Sequence, residues 1–356
     1  MIENLNTLLP EIFLSLSIFF ILMVGVYFKK SYNLVTKLTL FTLVVTVIIL
    51  LNFENDTAKA FSNSFVHDGF AKFSKILILI SSFFVLNSSQ VFIKDNNINK
   101  FEYPIIILLS ILGMFFMISS NDLILFYLGL ELQSLSLYIL AAIDRDNIRS
   151  TESGIKYFVL SALSSGLLLY GCSLLYGFCG STNFNTIADQ MNSQNTGAVF
   201  AMVFVLVGLA FKISAVPFHM WTPDVYEGSP TSITSFFAVV PKVAGLVVFI
   251  RFMQTPFVNV LIEWQTIVIF ISIASMILGA VAAIGQTNIK RLMAYSSIGH
   301  IGYALAGVAT GTTSGYSSSI TYITIYVIMN LGAFGCLFLI KKDGRYIEEI
   351  KDRSGI

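Results

Sequence analysis

The chain has 356 residues, 56% of them hydrophobic and 14% aromatic against only 12% charged, and a mean hydropathy of +0.80. That composition excludes an ordinary soluble enzyme and describes a polytopic integral membrane protein. A net charge of +1 provides no basic stripe and no acidic tail, so the lipid bilayer is the expected partner and nucleic acid is not.

A hydrocarbon core about 30 Å thick takes roughly 20 helical residues to cross. Runs of that kind are predicted at 10–28, 34–52, 74–92, 104–119, 123–142, 157–180, 198–221, 230–251, 264–284, 292–311 and 317–340, about eleven helices of an all-α transmembrane bundle. The opening MIENLNTLLPE has no basic n-region and no small-residue cleavage site, so the first run reads as a retained helix. The breaks near 53–73 and 181–197 are polar and too short to build a core of their own. The Gly/Ser/Thr segment 307–319 lacks a phosphate-cradling pattern.

With the N-terminus outside, fifteen Lys and Arg residues fall in inner loops, among them Lys29, Lys30, Lys94, Lys290, Lys341 and Arg345. Only Lys59, Lys72, Lys75 and Arg251 fall in outer ones, an asymmetry that places the N-terminus on the outer face. His67 stands in an outer loop and is expected to be solvated. Cys172, Cys179 and Cys336 make no CxxC or Cys/His cluster and read as buried small apolar residues, so no metal site is expected.

Three ionisable side chains lie deepest: Glu131 in the fifth run, Lys212 in the seventh and Lys242 in the eighth. At 1.5 Å per residue each sits within roughly 4 Å of the midpoint of its own span. A cation there costs about 2.5 to 3.5 kcal/mol on insertion scales, so the interior must receive it, and such groups mark ion paths, proton relays or buried structural pairs. Glu131 is expected to compensate Lys212, and movement of the carboxylate would then drive release or uptake of a proton. A static ion pair fixing helix packing is the competing reading, although two lysines for one acid leave a cation unpaired.

Pro217 removes the helical bond to the carbonyl of Ile213, and Pro241 frees the carbonyl of Phe237, so both are expected helix breaks; a simple packing kink is the alternative. His219 follows Lys212 by seven residues and would share its face but for Pro217. His300, in SSIGHIGY, reads as a relay or as a hydrogen-bonded structural histidine, and Lys290 as a relay or as a loop anchor. Asp224 and Glu227 suit helix capping or loop ordering.

VPFHMWTPDVYEGSPTSITSFFAVVPKVAG, QTNIKRLMAYSSIGHIGY, GLELQSLSLYIL and the opening LLPEIFL resemble the membrane subunit N family of bacterial NADH:quinone oxidoreductase, respiratory complex I, equivalent to mitochondrial subunit 2. The resemblance runs over essentially the whole chain. It implies an antiporter-like, proton-translocating subunit with two five-helix units in inverted orientation, each with a broken helix. It carries a proton relay onto Glu131, Lys212, Lys242, Lys290 and His300. The corresponding divisions are 1–103 for N-terminal helices, 104–253 for the first unit and 254–356 for an incomplete second unit, since the family continues beyond Ile356 to a second broken helix with its own lysine.

Residues 327–340 hold no Lys or His, and LGLE stands where relatives L and M have a Trp-Glu pair. Both departures favour the subunit N type. The implied setting is a bacterial inner membrane, in contact with other complex I subunits. No cofactor is expected on this chain; NAD, FMN, Fe–S clusters and quinone would belong to partner subunits. A cation/proton antiporter or membrane-bound hydrogenase subunit and a non-pumping membrane scaffold are the alternatives.

Overall fold

Long apolar runs with few Gly or Pro interruptions become helices because, in lipid, every backbone polar group has to be satisfied within the segment. The computed structural model describes residues 2–28, 31–53, 57–342 and 345–353, so Lys29, Lys30 and Ile356 lie outside the described residues. The helices are α1 (Ile2–Thr7), α2 (Leu9–Tyr27), α3 (Tyr32–Asn52), α4 (Gly69–Ser88), α5 (Gln90–Asp95), α6 (Glu102–Ile118), α7 (Leu123–Ala141) and α8 (Ile148–Cys179). They continue as α9 (Phe184–Gln190), α10 (Thr196–Ile213), α11 (Trp221–Gly228), α12 (Thr231–Gln254), α13 (Leu261–Ile284), α14 (Ile289–Ala309) and α15 (Thr313–Leu337). Two antiparallel hairpins accompany them, β1 (Ala58–Ala60) with β2 (Phe65–His67) and β3 (Lys341–Lys342) with β4 (Arg345–Tyr346).

Each predicted run coincides with one of these helices, and nine helical segments among the described residues are long and apolar enough to cross a membrane. Boundaries follow local chemistry. Asp68, Asp122, Asn288 and Thr312 each accept a hydrogen bond from a backbone N–H of the turn they open, at the N-termini of α4, α7, α14 and α15. The eighth helix begins nine residues before the predicted 157, because Asn147 caps it and Ser150, Ser153 and Gly154 pack against neighbours instead of requiring water.

The chain of α12 is the axis of the bundle: from Thr231 to Met253 every residue is buried. A helix apolar all round has no solvent or lipid face and must be enclosed by others. Around it, small residues let backbones approach. A Cβ on Gly129 would stand 2.7 Å from the amide nitrogen of Met117, and one on Gly279 2.6 Å from that of Gly299, so α6 meets α7 and α13 meets α14 nearly backbone to backbone. The outer faces are apolar and open, with Phe19 69% and Ile284 87% exposed, as a lipid-facing surface requires.

Two sequence expectations change here. The predicted helix 198–221 stops at Ile213, and the predicted break at Pro241 is absent, since α12 runs through that proline without interruption. The carbonyl of Ala238, one turn before Lys242, accepts from the Tyr326 hydroxyl at 3.1 Å, so a neighbouring helix supports the backbone around the proline. Cys172 and Cys179 are buried as expected, whereas Cys336 is exposed on α15.

Candidate functional site

The helix break after Ile213 organises the centre of the bundle. Val216 precedes a proline, which disfavours helical torsions there, and Ser214 turns into the left-handed region at φ 62°. A non-glycine residue in that region is held by its surroundings. Here the Ser214 hydroxyl accepts from Lys242 Nζ at 2.5 Å and from Thr222 Oγ1 at 2.6 Å. Lys242 Nζ also donates to the carbonyl of Ile213 at 2.9 Å and stands 5.7 Å over the Trp221 ring. Trp221 in turn donates to the Phe211 carbonyl at 3.0 Å, and Val216 N donates to Ser275 Oγ at 2.9 Å. The lysine of the axial helix therefore occupies the carbonyl that the break exposes.

Lys212 is received differently from the expectation. Its Nζ donates to Ser134 Oγ at 2.7 Å and to Ser161 Oγ at 2.9 Å, and Tyr138 donates to the same Ser161 hydroxyl at 2.5 Å. Glu131 is not its hydrogen-bond partner: Glu131 Oε1 is buried without one. Ser134 lies three residues along α7 from Glu131, on the same helix face, and hydroxyls bridge the depth at which a carboxylate was expected. A hydroxyl can both accept and donate, so Ser134 and Ser161 have the chemistry to hand a proton on.

His219 lies in the non-helical 214–220 segment, half-buried, with Nδ1 unpartnered, so the shared helix face with Lys212 does not exist. Pro217 is exposed in the same segment. His300 Nδ1 lies 2.6 Å from the Tyr322 hydroxyl, and its ring packs 5.1 Å from that of Tyr326, whose hydroxyl reaches α12. Lys290 is 3% exposed, with Nζ 2.7 Å from Glu348 Oε1 and 3.1 Å from the Ser229 carbonyl. It is thus no exposed loop anchor. Asp224 and Glu227 both take Arg291 Nη1, at 2.8 and 2.9 Å, and Asp224 also meets Lys156, so these acids tie α11 to α8 and α14.

The structure brings Lys212 and Lys242 to the two sides of one helix break and places His300 one tyrosine from the axial helix. Lys290 stands at the foot of α12. Sequence reasoning missed a further buried pair. Lys75, counted as an outer-loop cation, is fully buried within α4 and lies 2.5 Å from Glu11 of α2. The visible signal was a lone acid in LLPEIFL and a lysine at the second position of a predicted apolar run.

His67 is also buried, 1% exposed, with neither ring nitrogen partnered and its ring 5.1 Å from Phe53. Loss of solvation lowers its pKa to about 4, with the nearby Lys75 charge acting in the same direction. An unfolded histidine titrates near 6.5, so the neutral ring contributes stability above about pH 6.5 that is lost as pH falls toward about 4, roughly 2 kcal/mol once water reaching the hairpin is allowed for. The protection factors of the 58–67 amides, which correct exchange for its intrinsic pH dependence, are expected to fall between neutral pH and pH 5 in the wild type and to stay flat in His67→Phe. Equal acid sensitivity in the two would show that His67 is not the cause.

These features define a polytopic membrane helix bundle with an interrupted helix, the half-buried Lys212 beside the interruption and the buried Lys242 reaching it from the axial helix. Residues 120–356 match the family described as NADH:quinone oxidoreductase/Mrp antiporter, TM, and the chain belongs to that family. It is 60% identical over 355 residues to NADH-quinone oxidoreductase subunit N of Pelagibacter ubique, covering 99% of this chain and 75% of that one. It is 52% identical over 351 residues to the subunit N of Parvibaculum lavamentivorans, covering 98% and 73%. Among solved structures it is similar to a chain of respiratory complex I from Thermus thermophilus with bound aureothin, at TM-score 0.77 and 29% identity over 93% of this chain and 70% of that one. A chain of an archaeal membrane-bound sulfane sulfur reductase shares the fold at TM-score 0.83 and 22% identity, over 94% of this chain and 71% of that one.

Proposed function

We propose that the chain is a proton-translocating membrane subunit of an NADH:quinone oxidoreductase, coupling electron transfer in partner subunits to proton movement across the bilayer. The 60% identity to a subunit N over 99% of the chain is the observation that carries this reading. The lysines around the helix break suit it physically, because ionisable side chains at membrane depth, here received by hydroxyls and a carbonyl, mark proton relays.

In this reading Glu131, Lys212, Lys242, Lys290 and His300 form the relay, with Ser134 and Ser161 joining the first two. Residues 104–253 are a first antiporter-like unit and 254–356 the beginning of a second, after N-terminal helices over 1–103. NAD, FMN, Fe–S clusters and quinone sit on partner subunits. The membrane is the bacterial inner one, with the N-terminus outside and the end bearing Lys94, Lys290 and Lys341 within.

The test is proton translocation per NADH oxidised in sealed vesicles carrying the assembled complex. Lys212→Ala is expected to lower the ratio while leaving subunit composition unchanged. Full quinone reduction with full proton uptake in that variant would end the relay assignment.

A further inference from the structure

Lys290 presents a problem that its neighbours solve. Its side chain is only 4% exposed, whereas that of Glu348, whose carboxyl lies 2.7 Å away, is 41% exposed. Glu348 is therefore a bridge between the aqueous face and a buried base. Beside the pair is a cavity of about 140 Å³, lined by Asp144, Arg149, Glu227 and Ser229 together with Lys290 and Glu348. Water occupies roughly 30 Å³ per molecule in the liquid, and this polar site has both the room and the partners to be wet.

The backbone keeps Glu348 in place independently of its side chain. Ile289 N donates to the Glu348 carbonyl and Ile350 N to the Thr287 carbonyl, each at 2.9 Å, so residues 347–350 lie along the start of α14. The same strap is tied to α5 by Lys341 Nζ and the Tyr346 hydroxyl, which reach Asp95 Oδ2 at 2.6 and 2.8 Å. Near Ser229, which accepts from Lys290, the Ser232 and Tyr226 hydroxyls are buried, with Tyr103 and Ser297 as their side-chain neighbours. A hydroxyl both accepts and donates, so each of them can pass a proton on. Ser232 stands at the foot of α12, whose Lys242 lies about 15 Å further along.

We propose that Glu348 is the group through which Lys290 exchanges protons with the aqueous face at the Lys/Arg-rich end. The inference rests on the relay reading above and adds the point where the relay meets water. When Lys290 passes a proton inward, an N–H bond breaks and the amine is left neutral, while the receiving hydroxyl, Ser232 or Tyr226, forms a new O–H bond and releases its own proton onward. The Glu348 carboxylate, ion-paired with the ammonium until then, takes a proton from water at the cavity mouth. Its O–H proton passes to the amine as a new N–H bond forms, which restores the ammonium–carboxylate pair, so one proton has moved inward and no electrons have been exchanged. The other charges facing the pair are Asp144 and Arg149 from the α7–α8 side, and Glu227 of α11, itself held by Arg291 of α14.

The experiment compares Glu348→Gln, Glu348→Asp, Asp95→Asn and Lys290→Ala in the full chain within its assembled complex, in sealed vesicles driven by NADH, across neutral pH. Glu348→Gln is expected to assemble, because backbone bonds hold the strap, and to lower the rate of proton translocation about a hundred-fold, the lower end of the range for a positioned proton-transfer group. Its rate should no longer follow pH at the Lys/Arg-rich face. Glu348→Asp should recover most of the rate, and Asp95→Asn, which loosens the strap but keeps the carboxylate, should behave as wild type.

Three results overturn the proposal: wild-type translocation in Glu348→Gln, an equal loss in Asp95→Asn, or failure of Glu348→Gln to assemble. The first two would also divide it from the parent reading. Loss in Lys290→Ala with full pumping in Glu348→Gln removes only this inference, whereas full pumping in both removes Lys290 from the relay.

Discussion

Lys242→Ala is expected to abolish most proton translocation while the complex still assembles, a fall of about ten-fold or more in protons per NADH. The reason is double. The substitution removes the ammonium from the centre of the axial helix, and it also strips the Ile213 carbonyl of its donor and the Ser214 hydroxyl of one of two. A buried carbonyl left without a donor costs about 1 to 3 kcal/mol, enough to shift the strained turn at Ser214. Lys242→Arg separates the two effects. Arginine retains a donor for the Ile213 carbonyl but stays charged at any accessible pH, so it should preserve assembly and still fail to relay. Ser214→Ala, which leaves the lysine and the carbonyl bond, should lose less than either. Wild-type stoichiometry in assembled Lys242→Arg would show that Lys242 only braces the helix break.

How much of this was legible beforehand differs by residue. The axial helix was visible as an apolar run of spanning length carrying Lys242, though with a break expected at Pro241, and the common depth of Lys212 and Lys242 followed from residue spacing alone. The identity of their partners was not. Position along a helix gives depth, whereas the partner depends on rotation about the helix axis and on what the neighbouring helix presents. Glu131 and Ser134 share a face of α7, and only packing decides that Ser134 and Ser161 reach Lys212.

The break was expected from Pro217, but the helix ends four residues earlier. Residues before the proline already leave helical torsions, and Lys242 from another helix satisfies the freed carbonyl. Pro241 shows the converse, since enclosure on all sides holds a proline-containing helix together. Lys75 and His67 were misplaced for a related reason. A hydropathy boundary and an Asn/Ser-rich loop suggest solvent, and burial by Phe65, Phe115 and Phe53 is a tertiary fact.

The buried pair Glu11–Lys75 carries the largest expected effect on stability. Lys75 Nζ sits 5.2 Å from the Phe65 ring centroid and 5.3 Å from that of Phe115, and Glu11 supplies its counter-charge while Glu11 Oε2 has no partner of its own. Removing one partner strands the other charge in a low-dielectric interior, so Glu11→Leu and Lys75→Met are each expected to destabilise by about 3 to 5 kcal/mol. Replacing both, as Glu11→Leu with Lys75→Met, should recover most of that loss, because an apolar pair of similar volume needs no desolvation. A double-mutant cycle on unfolding in detergent reads the coupling directly. A single-variant cost below about 1 kcal/mol would mean that water reaches the site and the pair is a surface-like contact. The place of the pair makes the outcome structural: Glu11 is on α2, Lys75 on α4 and Phe115 on α6, so these charges join the N-terminal helices to the helix that opens the 104–253 segment. Translocation per assembled complex should therefore survive the double replacement, in contrast to the loss expected for Lys242→Ala.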